Sequence, residues 1–294
     1  MRIESQKIDV NPRIKIADDI DIVASDSVFI GEYAYILPGF KVRCRSLYIG
    51  RHCYIGAGVE IGGGGCNGPN AHVSIGERSL IAERSFINCA ESVTIGEHVA
   101  FGYETQVWTH GVWQPVANGF GKMKQEPVKI GNEVWLPSRC QVMAGVEIGD
   151  NVVVGMGSLV NKSLPAGCVA VGRPAKIIKE NEFPKAITDE DLRAELNNIL
   201  KIYMAIAEDK GFEPTIIISG DCIIKFAYLA EHIDFNIRTK ELMKYNPETR
   251  ESQPTTYLTV YAEDFRDFLR RWGFAFYGGG FFESIEPKRF QEAQ

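Results

Sequence analysis

At 294 residues the chain is long enough for one large domain or about two ordinary ones, and 45% apolar with 24% charged residues is the composition of a soluble globular protein with a real core. The net charge of −6 and pI near 5.5 exclude nucleic acid as a principal partner, because neutralising phosphates needs clustered Lys and Arg. No stretch approaches the roughly 18 charge-free apolar residues of a membrane span, and Met1-Arg2-Ile3-Glu4-Ser5 opens no signal-peptide pattern. The seven cysteines are odd in number and widely spaced, which is neither a disulfide framework nor a zinc-ligand pattern and fits a reducing, cytoplasmic setting.

A six-residue rhythm governs the first 180 residues. Aliphatic side chains recur at every sixth position: Ile30, Ile36, Val42; Ile49, Ile55, Ile61; Ile75, Ile81, Ile87; Ile95, Phe101, Val107; and Ile130, Leu136, Val142, Ile148, Val154, Val160. Glycine often follows the aliphatic, as at Gly31, Gly50, Gly56, Gly102 and Gly149, and a small or branched residue lies four positions after it, as at Ala34, Cys53, Ser79, Thr105 and Ser158. Neither helix nor ordinary strand periodicity gives a strict six. A parallel β-solenoid does: each hexapeptide is one short strand with its aliphatic pointing inward, the glycine supplies the corner conformation, and the small residue fits the tapering interior.

Two insertions break the rhythm, 62–71 and 108–127. The first, Gly62-Gly63-Gly64-Gly65-Cys66-Asn67-Gly68-Pro69-Asn70, lacks the Gly-Lys-Ser/Thr ending of a phosphate loop and reads as a flexible excursion. The second carries Thr109-His110-Gly111-Val112-Trp113, and a loop of that length is uncommon unless functional.

The segments Ile130-Gly131-Asn132-Glu133-Val134-Trp135, Gly145-Val146-Glu147-Ile148-Gly149-Asp150-Asn151 and Gly172-Arg173-Pro174-Ala175-Lys176 resemble the hexapeptide-repeat acyltransferases over about residues 16–180. The resemblance implies a mostly β architecture: a left-handed parallel β-helix of hexapeptide repeats (1–180), usually a homotrimer with sites between subunits, followed here by a small α+β C-terminal domain (181–294). It also implies acyl-CoA as co-substrate, no metal, and a loop histidine as general base. His110 occupies that place; an imidazole suits the role because it titrates near neutrality. Asn88 and Glu83 both stand as candidates to orient its ring. Carried over residue by residue, the CoA site falls on Ser138, Ala144, Gly155, Gly157, Lys162, Arg173, Pro174 and Lys176. Physically, small residues let an extended thiol arm approach the backbone, and cations can meet phosphates. Trp135-Leu136-Pro137 departs from the family's Trp-Ile-Gly, so this corner is stiffer and has no N–H to donate. Of the other histidines, His52 and His98 fall at outward repeat positions, His72 borders the glycine loop and His232 lies in the other domain.

After Ile178 the rhythm stops, and Glu180–Pro184 reads as a linker. Thr188 with Asp191 opens a capping box, the stripe Leu192, Leu196, Ile199, Tyr203, Ile206 predicts a helix, and Gly211 stops it. Strands are predicted at Thr215–Ile218 and Tyr257–Tyr261, and a short helix carries Phe265, Phe268, Leu269 and Trp272 up to Gly273. Ile223–His232 fits either helix or strand. The cluster Trp272–Phe282 reads as core packing. The domain's plainest role is to cap the open end of the solenoid, and a sharper one is to select the acceptor.

The leading function is acyl transfer from acyl-CoA to the amine of a nucleotide-linked amino-deoxy sugar, with a dTDP-sugar favoured and His110 as base. O-acetylation of a sugar or other small hydroxyl is the alternative, and a non-catalytic β-helix scaffold is the second. A zinc enzyme needs several converging histidines, and no nearby loop histidine joins His110. An acyl-cysteine route would require accessible thiols, which the interior slots of Cys53 and Cys140 do not offer.

Overall fold

The computed structural model describes residues 1–111, 115–120, 124–220, 222–255, 257–274, 276–277 and 280–287. The chain divides into two compact units, Met1–Lys185 and Ala186–Gln294.

The first unit is a parallel coil with three faces. Short strands turn from face to face, so each pairs with the strand one full coil away. Along the chain, the first face stacks Val10, Ile30, Ile49, Ile75, Ile95, Ile130 and Ile148 in register. The second stacks Ile16, Ile36, Ile55, Ile81, Phe101 and Leu136. The third stacks Ile3, Ile22, Val42, Ile61, Ile87, Val107, Val142 and Val160. The six-residue rhythm is thus the distance from one face to the next, and it begins at Arg2–Glu4, earlier than the family resemblance does. Inward aliphatics are almost wholly buried from Ile20 onward, and Ile3, Val10 and Ile16 at the first coils are partly so. Each is worth about 1.5–3 kcal/mol of burial, but only because the coils above and below cover it.

The small interior positions do more than taper. Cys53 Sγ, Ser79 Oγ and Thr105 Oγ1 reach the carbonyls of Gly76, Gly96 and Pro137 at 3.1, 3.0 and 3.2 Å, so a polar atom in the core is satisfied by the corner of the next coil. The glycines following the aliphatics have a different reason from the one their position suggests. The left-handed residue of each corner lies three positions after the aliphatic, at His52 (φ 55°), Arg78 (φ 60°), Arg84 (φ 58°) and their equivalents. The glycine just after the aliphatic is instead forced by close approach: a Cβ at Gly56 would sit 2.5 Å from Glu83 N, and one at Gly149 would sit 2.5 Å from Ala166 N. Coil-to-coil stacking, not backbone conformation, demands glycine there.

In the lower coils, Asp21–Ile30 and Lys41–Ile49 run continuously from the third face onto the first, with a register shift between Ala24 and Ser27. Higher up, this same corner opens. The insertion at 62–71 leaves Glu60–Gly62 on the third face and returns at His72–Ile75 on the first. The long loop leaves after Gln106–Val107 and returns at Val128–Ile130. At the top, Lys176–Lys179 pairs antiparallel with Val169–Val171.

In the second unit, helix α1 (Asp189–Lys210) starts at Thr188, whose hydroxyl accepts from Asp191 N at 3.1 Å, and stops at left-handed Gly211. An antiparallel meander follows: Thr215–Ser219, Ile223–Tyr228, Glu231–Asn236, Glu241–Asn246 and Glu251–Pro254. Ile223–His232 therefore resolves into a strand, a turn and the start of the next strand. Tyr257–Tyr261 is not a strand. Thr259 caps helix α2 (Val260–Arg271) by accepting from Ala262 N, and its own N–H donates to Glu231 at 2.9 Å, so capping overrides the β-branched composition. Leu196, Tyr203, Phe226, Phe235, Phe265 and Phe268 form the core. Within it Asp264 meets Lys210 Nζ at 2.5 Å, Tyr203 Oη at 3.0 Å and Ile285 N at 2.7 Å. Arg266 donates to the carbonyls of Phe276, Gly280 and Phe281, so the aromatic and glycine cluster, as far as it is described, packs onto α2.

Candidate active site

Three consecutive coils meet at the corner between the third and first faces. The glycine insertion springs from the lowest of them and the long loop from the highest. Between them Phe86–Asn88 ends at a fully buried Asn88, over which both insertions fold. Asn88 Nδ2 donates to Gly62 O at 3.0 Å and Gly64 O at 3.1 Å. Its Oδ1 accepts from Thr109 N at 3.3 Å and Thr109 Oγ1 at 2.7 Å, and it stands 2.8 Å from His110 Nδ1. Buried Thr109 is held in turn by Glu91 N, 3.2 Å from its hydroxyl.

This network assigns the imidazole tautomer. Two carbonyls face one end of the Asn88 amide and a backbone N–H faces the other, so the end toward His110 is oxygen. An oxygen acceptor requires the proton on Nδ1, so in the neutral ring the lone pair lies on Nε2. His110 lies half-buried at the root of a small ribbon, His110–Gly111 paired antiparallel with Lys124–Gln125, and Gln125 Nε2 ties that ribbon to Ala90 O at 3.2 Å. Val112 and Trp113 lie outside the described residues.

Of the two residues offered as the ring's partner, the structure brings Asn88 to His110 and leaves Glu83 elsewhere. Glu83 sits on the corner at the other end of the same strand, 3.4 Å from the Tyr54 hydroxyl. The glycine segment is not a separate excursion either. Gly62 and Gly64 hold the Asn88 amide, and a Cβ at Gly64 would come 3.3 Å from His110 Nε2.

The residues assigned to a CoA site divide between the two corners that flank the third face. Ser138, Gly155, Gly157 and Arg173 gather at the corner between the second and third faces: Gly157 N donates to Ser138 O at 3.0 Å, and Arg173 donates to Gly157 O at 3.1 Å. Ala144 and Lys162 lie at the other corner, the one the loop leaves. Lys176 begins the last strand of the second face, opposite Val171, and Pro174 lies between it and Arg173. Pro137 shortens the ladder beside it: Gly102 N donates to Leu136 O at 2.8 Å from the same place one coil below, whereas here only Trp135 pairs with Val153.

Outward side chains of the third face connect the two corners. Arg173 donates to Gln141 Oε1 at 2.7 Å, Gln141 to Gln106 Oε1 at 3.0 Å, and Trp108 Nε1 to the same oxygen at 3.2 Å, two residues before His110. Beside this strip lies a groove of about 470 Å³ lined by Arg84, Glu104, Gln106, Arg139, Gln141 and Arg173. Glu104 binds Arg84 at 3.1 Å and Arg139 at 3.0 Å, and with Arg173 the groove sets three guanidiniums against one carboxylate and is net cationic. Thr109, Gln106, Gln141, Arg84 and Arg139 were not singled out from sequence. Their signal is phase: grouping the hexads in threes puts Phe86, Gln106 and Gln141 in one outward column.

The interior thiols are inert. Burial pushes Cys89, adjacent to Asn88, up to about 12, and does the same to Cys44 and Cys53. All seven cysteines are free. Among the described residues no group of three or more His, Cys, Asp or Glu is placed to hold a metal ion.

A family model for the bacterial transferase hexapeptide (six repeats) matches residues 127–162. Over that segment the chain carries the hexapeptide repeats of these transferases. It is 38% identical to the galactoside O-acetyltransferase of Escherichia coli (strain K12) over 107 residues, covering 35% of this chain and 52% of that protein. It is 28% identical to the bifunctional protein GlmU of Bdellovibrio bacteriovorus over 209 residues, 60% of this chain and 45% of that protein. The chain thus spans about half the length of these curated relatives. Among solved structures, the polysialic acid O-acetyltransferase OatWY superposes with a TM-score of 0.53 at 21% identity, over 65% of this chain and 94% of that one, a likeness of fold. No described helix of this hexapeptide-repeat protein is long and apolar enough to cross a membrane.

Proposed function

We propose that this hexapeptide-repeat protein is an acyl-CoA-dependent acyltransferase in which His110 is the general base. The single observation that carries the reading is the Asn88–His110 contact, which fixes the proton on Nδ1 and presents Nε2 as an acceptor. Nε2 takes the proton of an incoming amine or hydroxyl as that nucleophile attacks the thioester carbonyl. The imidazolium so formed is steadied by Asn88 Oδ1, and the proton then leaves with the CoA thiol. Arg173, Gly155, Gly157 and Ser138 supply a cationic, small-residue corner suited to a phosphorylated, extended thiol arm, and Ala144, Lys162, Pro174 and Lys176 complete the assignment. Direct transfer needs no acyl-cysteine, in keeping with the buried thiols.

Two acceptors are carried. The first is the amine of a nucleotide-linked amino-deoxy sugar, such as a dTDP-sugar. The second is a sugar hydroxyl, favoured by the similarity to a galactoside O-acetyltransferase. The assembly is a cytoplasmic homotrimer with CoA lying between neighbouring subunits. The test is thiol release from acetyl-CoA against a panel of amino-sugar nucleotides and galactosides, with the wild type beside His110→Ala. The variant should lose about 10²–10⁴-fold in kcat. Undiminished turnover by that variant would end the base assignment, and silence across the panel would end the acceptor class.

A further inference from the structure

The glycine insertion contains four successive glycines, and they differ in what holds them. Gly62, Gly63 and Gly65 have φ of 146°, 87° and 82°, where a side chain is strained. Gly64 lies outside the left-handed region, so its backbone would accept any L-residue. The space around it is what distinguishes it. Among the described residues, a Cβ built there would meet only the imidazole of His110, at 3.3 Å from Nε2 and 3.4 Å from Cε1. Its carbonyl faces the other way, accepting from Asn88 Nδ2 at 3.1 Å.

We infer that Gly64 is a specificity-determining residue: its missing side chain keeps a methyl-sized gap beside His110 Nε2 through which the acceptor's nucleophilic group reaches the base. The inference rests on the reading of His110 as that base, and it adds a reason for glycine that neither conformation nor stacking provides. A methyl group at position 64 leaves the Asn88–His110 hydrogen bond and its tautomer in place and narrows the approach. The penalty therefore falls on the acceptor and not on acyl-CoA, and it grows with the bulk around the acceptor's amine or hydroxyl.

The experiment compares Gly64→Ala with Gly68→Ala, a control in the same insertion, also without a positive φ, whose Cβ would press on Gly65 O at 3.2 Å and Ala90 O at 3.6 Å instead of the imidazole. Two readouts are taken. The first is kcat/KM for the acceptor together with KM for acetyl-CoA. The second, independent of turnover, is the rate at which diethyl pyrocarbonate modifies His110, followed by peptide mass spectrometry. Gly64→Ala is expected to lower acceptor kcat/KM about ten- to a hundredfold, the scale set by a misplacement of about 1 Å, and to slow His110 modification several-fold. KM for acetyl-CoA stays within about twofold, and Gly68→Ala matches wild type on both readouts. Unchanged values for Gly64→Ala, equal losses in both variants, or failure of Gly64→Ala alone to fold would each overturn the inference, the last because the glycine would then serve the backbone. Slowed modification in Gly64→Ala combined with full turnover in His110→Ala would instead remove the base assignment while leaving the gap in place.

Discussion

Replacing Asn88 by Asp exchanges a single NH2 group for oxygen and tests the whole network. The substitution keeps an oxygen toward His110 and Thr109 but turns the Nδ2 donor into an acceptor facing Gly62 O at 3.0 Å and Gly64 O at 3.1 Å. Two hydrogen bonds are lost, the one to Gly62 buried and the one to Gly64 part-buried. Gly62 O retains only the longer bond from Cys89 N at 3.3 Å. With about 1–3 kcal/mol for each buried group left unsatisfied, and partial compensation at Gly62, Asn88→Asp should destabilise the fold by roughly 2–4 kcal/mol near neutral pH. A protonated carboxyl can donate to one of the two carbonyls, so burial and these oxygens raise the pKa of the new group above its unfolded value near 4. Between those two values the native state binds more protons than the unfolded state, and stability relative to wild type therefore rises as pH falls. Urea unfolding of both proteins at pH 7.5 and pH 5.5 measures this, with the larger deficit expected at the higher pH. A variant within about 0.5 kcal/mol of wild type at both pH values would refute the reasoning, since the amide would then face the other way and the proton on Nδ1 would no longer follow.

The stacking argument predicts an order of damage. Gly56→Ala places a Cβ 2.5 Å from Glu83 N and 2.8 Å from Ala82 C, backbone that cannot yield without parting two coils, and should cost about 3 kcal/mol or more. Gly58→Ala, at φ 66° with only Arg84 Cγ at 3.7 Å among the described residues, should cost about 1–2 kcal/mol. Thermal or urea unfolding giving the reverse order would restore the conformational explanation of the first glycine. For the thiols, Ellman's reagent at pH 8 should label half-buried Cys66 first and the six buried cysteines only after unfolding; two or more fast thiols in the native protein would contradict the burial. Because Cys44, Cys53 and Cys89 are raised to about 12 from the ordinary 9, the native state holds protons that the unfolded state releases above pH 9. Stability should accordingly fall by about 1.4 kcal/mol per pH unit per thiol above that value and show no thiol contribution below it. Unfolding midpoints with and without conservative Ala replacements at these positions would check the slope.

Much of this was readable in advance because a solenoid writes its geometry into its period. Ile75, Ile81 and Ile87 each declare one face, and the loop that carries His110 stands out because it interrupts that period, while the role of its histidine comes from the family resemblance. The glycine after each aliphatic was visible, but its cause was not: close approach between coils is a relation between residues about 18–35 apart, and no local pattern carries it. The same limit hid the partnership at Asn88. Sequence offered Asn88 and Glu83 five residues apart, at the two ends of one short strand, and only the pairing of three coils shows which end lies under His110. In the second unit, strand and helix compete over Tyr257–Tyr261 because Thr259 and Val260 favour extended backbone in isolation, whereas the bond from Thr259 N to Glu231 is long-range. The glycine insertion was misjudged because flexibility was read from composition, and the carbonyls of Gly62 and Gly64 turn out to hold an amide.

The three neighbouring turns that converge on Asn88 also restrict how this polymer of hexads can lengthen. Adding a full rung of three hexads at either end would extend the stack and leave every ladder below intact. The same addition between the rung of Asn88 and the rung that launches His110 would lift the ring by one strand spacing, about 4.8 Å, and sever a 2.8 Å contact while disturbing no aliphatic column. Repeat number is therefore free to drift at the extremities and locked in the middle, and duplication events should leave that stretch unexpanded.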